Sequence, residues 1–212
     1  MLSFLESKKL LDSYNIPLVN QRLAFYFDEA ADFAVKNGFP VALKIVSKNL
    51  IHKTEEQAFL LNIKNEEELK KSWQILEAIS GKKEIKSGFE GILVQKMAQG
   101  IELIIGAKKD EIFGPVIMFG IGGVFAEIYK DIVFRLAPIN KIEAEKMIKE
   151  IKGYKILTGF RGKKAVDIGN LAEILVKISD IISQEKNIKE IDLNPVMVQG
   201  KEINIVDVKI IV

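Results

Sequence analysis

Residues 91–137 read GILVQKMAQGIELIIGAKKDEIFGPVIMFGIGGVFAEIYKDIVFRLA. Apolar, β-branched runs at Gly91 to Met97, Glu102 to Ala107, Pro115 to Phe119, Val124 to Tyr129 and Ile132 to Ala137 follow one another across breaks too short to hold a helix. Strands joined this way pair antiparallel, because a parallel neighbour needs a long crossover. The same holds at the C-terminal end, where Ile188 to Val198 and Glu202 to Val212 form a hairpin. Two further runs, Val41 to Val46 and Phe59 to Ile63, lie upstream. Helices surround these runs. Side-chain oxygens followed three residues later by Glu mark four helix starts: Ser3 with Glu6, Asn65 with Glu68, Asn140 with Glu143, and Asn170 with Glu173. Behind them run apolar stripes at helical spacing, such as Leu171, Ile174, Leu175, Ile178 and Ile182. Asp28 to Asn37, stopped by Gly38, makes a fifth helix. The pattern predicts an α+β protein of two lobes sharing a cleft and disfavours a doubly wound parallel sheet.

The chain has 212 residues, 48% hydrophobic and 28% charged, enough to bury a sizeable core. Its 31 Lys plus Arg nearly balance 29 Asp plus Glu, so no field gathers polyanions and dedicated nucleic-acid binding is not expected. The absence of Cys excludes disulfides, thiolate metal sites and cysteine nucleophiles, and a lone His excludes histidine-rich metal sites. Charge arrives within the first nine residues, and no apolar run approaches the roughly 20 residues of a membrane helix, so a soluble, cytoplasmic protein is expected.

Familiar phosphate loops are missing: Gly159-Phe-Arg-Gly162-Lys163-Lys164-Ala165 has the wrong spacing for a P-loop, and Gly120-Ile-Gly122-Gly123 is not a dinucleotide fingerprint. Alternation in Val41 to Val46 places Lys44 with Ala42 and Val46 on one face, where a desolvated ammonium needs an anion, either a phosphate oxygen or a nearby carboxylate. In Glu190-Ile-Asp-Leu-Asn-Pro195 three oxygen-bearing residues, Glu190, Asp192 and Asn194, share one strand face, and the return strand brings Asp207 and Lys209 alongside. Such oxygens suit Mg²⁺, which arrives with substrate phosphates; a solvent-facing polar side of a hairpin is the other reading. His52, in a polar connection beside Lys53, is either a solvated loop residue or a nucleophile able to take a phosphoryl group. Arg135 and Arg161 could clamp phosphate oxygens or form structural ion pairs.

Taken in order, Gly38-Phe-Pro-Val-Ala-Leu-Lys-Ile-Val-Ser47, Ile51-His-Lys-Thr-Glu55, Gly91-Ile-Leu-Val-Gln-Lys-Met97, Gly100-Ile-Glu-Leu-Ile-Ile-Gly106, Phe113-Gly-Pro-Val, Phe119-Gly-Ile-Gly-Gly123, Phe134-Arg-Leu-Ala-Pro138, Gly159-Phe-Arg-Gly162 and Asp192-Leu-Asn-Pro195 resemble the ATP-grasp β subunits of ADP-forming acyl-CoA synthetases, such as acetate-CoA ligase. The resemblance covers nearly the whole chain. It implies a single ATP-grasp domain over 1–212, with a small lobe near 21–97 and a large lobe of 98–212 plus the N-terminal helix, clasping ATP or ADP. It implies a separate CoA-binding α subunit in an α2β2 heterotetramer, and conversion of acyl-CoA, ADP and phosphate to acid, CoA and ATP. His52 matches the relay histidine, Lys44 and Lys53 the phosphate-side lysines, and Gln95-Lys96-Met97 the hinge whose backbone reads adenine. Glu102 falls near the ribose, Arg135 at a phosphate clamp, and Asn194 and Asp207 at the magnesium ligands, with Asp192 an outer partner. One departure stands out: Gln57-Ala58 occupies the place of a family Gly-Gly pair. That favours a second reading, a degenerate ATP-grasp protein that binds nucleotide or a partner without turnover; a ligase of the succinyl-CoA synthetase kind is a third.

Overall fold

The computed structural model describes residues 1–48, 58–123, 130–159 and 164–212. The chain divides into two compact units: a small one of Ser3–Glu6 and Val19–Met97, and a large one of Met1–Leu2, Ser7–Leu18 and Ala98–Val212.

The small unit carries a four-stranded antiparallel sheet in the order β1-β4-β2-β3, with β1 at Gln21–Ala24, β2 at Val41–Ser47, β3 at Phe59–Ile63 and β4 at Phe89–Lys96. Helices α2 (Phe27–Asn37) and α3 (Glu66–Ser80) cover one face. Ala30, Phe33 and Ala34 of α2 and Leu69, Trp73 and Leu76 of α3 pack on Val41, Leu43, Ile45, Ile92 and Val94. Phe27 meets the Trp73 ring edge-on at 6.3 Å. The capping signals act as their chemistry requires. Asn65 accepts the Glu68 N–H at 2.9 Å, and Glu29 accepts the Phe25 N–H at 2.7 Å, which holds its carboxyl below the usual range. Gly38, at φ 79°, ends α2 by donating to Ala34 O at 2.8 Å. Strand β1 and the short helix α4 (Lys83–Lys86) lack a sequence signature: four residues are too few to show a period.

The large unit carries the long meander. Strands β5 (Ile101–Asp110), β6 (Gly114–Ile121), β7 (Ile132–Leu136), β8 (Glu190–Gln199), β9 (Glu202–Ile205) and β10 (Val208–Ile211) form one sheet in the order β10-β8-β5-β6-β7, with β9 also on β8. Every ladder of this sheet among the described residues is antiparallel, and the β5-β6 and β8-β9 hairpins turn over connections too short for a helix, as predicted. Helices α5 (Lys141–Glu150), α6 (Tyr154–Leu157) and α7 (Ile168–Gln184), with the Ser7 to Ser13 part of α1 (Phe4–Ser13), bury one face of this sheet. Leu103, Ile105, Ala107, Ile117, Phe119, Ile191 and Leu193 meet Ala144, Met147, Ile148, Leu171, Leu175 and Ile178 there.

Three expectations change. Helix α7 starts earlier than predicted, because Asp167 is the cap, accepting the Asn170 N–H at 3.0 Å, while Asn170 lies within the helix and donates to Lys201 O. The last expected strand, 202–212, is two strands broken at Val206 and Asp207, so Asp207 sits in the break and not in a strand. The strand expected at Val124 to Tyr129 lies outside the described residues.

At Gly100, φ is 139° and an added Cβ would stand 2.3 Å from Val198 O, so a side chain collides with backbone. Gly100→Ala is expected to cost at least about 2 kcal/mol, read as a lower urea midpoint. A second test concerns Asp180, whose carboxyl burial pushes above its usual value. A carboxyl that holds its proton more tightly when folded loses stability as pH rises from its ordinary value through the raised one. Asp180→Asn is therefore expected to raise the melting temperature at pH 7, with the gain vanishing below the ordinary carboxylate range.

Candidate functional site

In the large unit the sheet face that no described helix covers collects the polar groups. Along β8, Ile191 and Leu193 are buried, whereas Glu190 and Asp192 are half-buried and Asn194 is exposed. Cross-strand register sets Asp192 between Gly106 of β5 and Lys209 of β10, and the row continues through Met118 to Phe134. A cavity of about 690 Å³ opens over this face, lined by Gly106, Val116, Met118, Phe134, Leu136 and Asp192 among others.

Pairing along β8 is interrupted where the acidic face ends. Leu103 pairs with Val196 and Ile105 with Leu193, so two β8 residues, Asn194 and Pro195, oppose the single Ile104. This is a bulge, and Pro195 has no N–H to give the ladder. On the other side of β8 the break between β9 and β10 falls opposite the same two residues. Asn194 N–H donates to Asp207 O at 3.3 Å, and Val206 N–H to Pro195 O at 3.0 Å. The Asp207 carboxylate accepts the Val208 N–H at 3.1 Å. Bulge and break together bring Asn194 and Asp207 to neighbouring positions, one strand step beyond Asp192. Among the described residues no three His, Asp or Glu side chains form a metal cage. An ion that keeps waters and substrate phosphates needs only one or two protein oxygens, so the Asp207 carboxylate and the Asn194 amide oxygen suit Mg²⁺.

Glu102 stands at the start of β5, its carbonyl accepting the Gly122 N–H at 2.8 Å. A Cβ at Gly122 would lie 2.9 Å from Glu102 Cγ, and one at Gly123 3.2 Å from Glu102 Oε2. The glycine pair is there to admit this side chain, a link that the sequence spacing did not suggest. Arg135 is placed differently from the other candidates. It shares a row with Ile117, Ala107 and Ile191, the helix-covered face, and its Nε and Nη2 meet Glu143 Oε1 at 3.1 Å and Glu150 Oε1 at 2.5 Å. These bonds hold the guanidinium charged and the Glu143 carboxyl below its usual range. Of the two roles open to Arg135, the ion pair is the one this geometry realises. Asp131, on which the sequence analysis has no reading, is buried and accepts the Lys152 and Gly153 N–H groups, each at 2.7 Å.

In the small unit, Lys44 on β2 pairs with Leu93 of β4 and Phe59 of β3, on the face opposite the helices, and is only 9% exposed. Gln95 lies on the same face, two residues along β4, and donates its amide to Gln21 of β1. Lys96 points the other way, its Nζ donating to Asn37 O and Gly38 O, each at 2.8 Å. The Met97 N–H reaches Pro40 O at 3.3 Å. His52, Lys53, Gln57 and Arg161 lie outside the described residues; Ala58 is fully buried.

Comparison with known proteins places this geometry. The ATP-grasp domain family model matches residues 1–212. The beta subunit of acetate–CoA ligase [ADP-forming] II from Pyrococcus furiosus is 42% identical over 210 residues, covering 97% of this chain and 89% of the relative. The dinucleotide-forming acetyl-coenzyme A synthetase 1 of Ca. Korarchaeum cryptofilum, in complex with coenzyme A, Ca-AMPCP and HgCl+, superposes with TM-score 0.91 at 44% identity, over 100% of this chain and 93% of that one. A second structure of that enzyme, with coenzyme A and Mg-AMPPCP and its phosphohistidine segment pointing towards the nucleotide binding site, gives TM-score 0.83 at 40% identity, covering 100% and 92%. Whole-length identity of this order, on a sheet pair whose helix-free faces carry the lysine and the oxygen donors, leaves one conclusion: the chain belongs to the ATP-grasp family, among the β subunits of ADP-forming acyl-CoA ligases.

Proposed function

We propose that this subunit binds Mg-ADP and Mg-ATP and relays a phosphoryl group through His52, so that acyl-CoA, ADP and phosphate give acid, CoA and ATP. The observation that carries the reading is the match over 97% of the chain to a relative named as a beta subunit of an ADP-forming ligase, at 42% identity. Beneath it lies a physical fit. Lys44 is a compact cation withdrawn from water, suited to phosphate oxygens as a point charge. The resemblance makes Gln95 to Met97 the hinge whose main chain meets adenine, and puts Glu102 toward the ribose. Lys53 adds a second cation beside His52.

Mg²⁺ held by Asn194 and Asp207, with Asp192 behind them, would neutralise phosphate oxygens during transfer. The chain's own chemistry is at His52. Its imidazole nitrogen forms a P–N bond as the phosphoryl group leaves its donor on the partner, and that bond breaks when a terminal ADP oxygen takes the group. The name of the beta-subunit relative implies a separate partner subunit. We place CoA binding and the acyl phosphate on that partner, in an α2β2 assembly, with the two units of this chain acting as the two lobes. A second reading, nucleotide binding without turnover, is favoured by Gln57-Ala58 where the family carries Gly-Gly.

His52→Ala, reconstituted with the partner, is expected to lower ATP synthesis from acyl-CoA by at least about a thousandfold while Mg-ADP affinity stays within twofold or so. Preserved synthesis would remove the relay. Asn194→Ala and Asp207→Ala are expected to raise the Mg²⁺ needed for half-maximal nucleotide binding by about tenfold or more. An unchanged magnesium dependence by calorimetry would contradict their assignment. Turnover separates the two readings of the chain: wild type that binds Mg-ADP, loses that binding in Lys44→Ala, and yet makes no ATP with its partner supports the non-catalytic reading.

A further inference from the structure

We infer that Lys96 is a positioning residue for nucleotide-base recognition, acting through the backbone of Gln95 to Met97 and not by touching the nucleotide. This rests on the reading of that stretch as the adenine hinge. Strand alternation sends Ile92, Val94 and Lys96 of β4 to the helix-covered face, while Leu93 and Gln95 take the face that carries Lys44. A lysine on the covered face needs a reason, and α2 supplies it. The Lys96 ammonium donates to Asn37 O and Gly38 O, each at 2.8 Å, the carbonyls that the end of a helix leaves without partners. A Cβ at Gly38 would come within 3.3 Å of Nζ, so the glycine leaves the ammonium its seat.

Four more bonds brace the turn and the hinge, directly or through Asn20. Lys96 N–H donates to Asn20 O at 2.9 Å, and Met97 N–H to Pro40 O at 3.3 Å. Asn20 Nδ2 donates to Asn37 Oδ1 at 2.6 Å, and Asn37 Nδ2 to Phe33 O at 2.8 Å. The last residues of β4 are thus tied both to the residue before β1 and to the end of α2. Main-chain groups read a base edge only if the chain is held to within a fraction of an ångström. The Lys96 side chain is the one charged bond in that fastening.

The experiment compares ADP with IDP, whose base replaces the 6-amino donor by an acceptor and the N1 acceptor by a donor. Calorimetric affinities of the purified full chain are measured for wild type, Lys96→Met and Lys96→Arg. Wild type is expected to prefer ADP, and Lys96→Met to lose about tenfold of that preference, while Lys96→Arg retains it. A substitution that merely destabilises the fold weakens both ligands alike and leaves the ratio unchanged, so an unchanged ratio in Lys96→Met beside a discriminating wild type overturns the inference alone. A wild type that binds ADP and IDP equally overturns the hinge reading itself. If Lys96→Met does not fold, Lys96→Gln, which keeps one N–H donor without the charge, carries the same comparison.

Discussion

The structure depends on a register constraint: among the described residues, each of its two sheets is covered by helices on one face only. Because strand side chains alternate, a slip of one residue would turn Ile191 and Leu193 out of the large core and drive Glu190 and Asp192 into it. Burying unpaired carboxylates costs several kcal/mol, which is far more than the other contacts of a hairpin return. The same energy that fixes the pairing of β8 with β5 therefore also fixes which face holds the oxygens. In the small unit, Leu43 and Ile45 enter the core and Lys44 takes the opposite face. The chemistry-bearing residues need no separate positioning apparatus at this level; hydrophobic registration does it.

Registration alone would leave Asn194 and Asp207 on regular strands, and the local device that changes this is Pro195. Without an N–H it cannot continue the ladder, so β8 takes an extra residue against β5 and its neighbour breaks between β9 and β10. Two interruptions at one level of the sheet leave main-chain groups to satisfy one another, as the Asn194 to Asp207 and Val206 to Pro195 bonds do. The result is a place where Asn194 and Asp207 stand at adjoining main-chain positions outside regular pairing.

What the sequence made legible follows from the range of the forces involved. Asp192, Asn194 and Lys44 were readable because a period of two is a local property of their strands. The capping pairs Ser3–Glu6 and Asn65–Glu68 were readable for the same reason, since each closes over three residues. The partners of Arg135 were not, because Glu143 and Glu150 reach it from a helix after an intervening turn, and nothing in Phe134-Arg-Leu states which face α5 will cover. Asp167 was missed as the cap of α7 because Asn170 offers the same side-chain oxygen three residues later, and the choice was made by the Lys201 carbonyl, distant in sequence. The link between Glu102 and the Gly122–Gly123 pair is of this kind too: its signal is steric and exists only once β5 and β6 are paired.

The departure at Gln57-Ala58 bears on how the chain can differ from the Gly-Gly pattern and still keep its fold. A glycine pair is needed where backbone must approach a ligand closely or adopt a left-handed turn. At position 58 neither demand is met by the chain's own arrangement: the Ala58 carbonyl accepts the Ile45 N–H at 2.8 Å, continuing the pairing of β2 and β3, and its methyl is fully buried in the core of the small unit. That methyl gains burial that a glycine would forgo, about 0.8 kcal/mol for a carbon of this size, and restricts the unfolded chain as well. Alanine at 58 is thus spent on the core of the small unit, one residue before β3 begins.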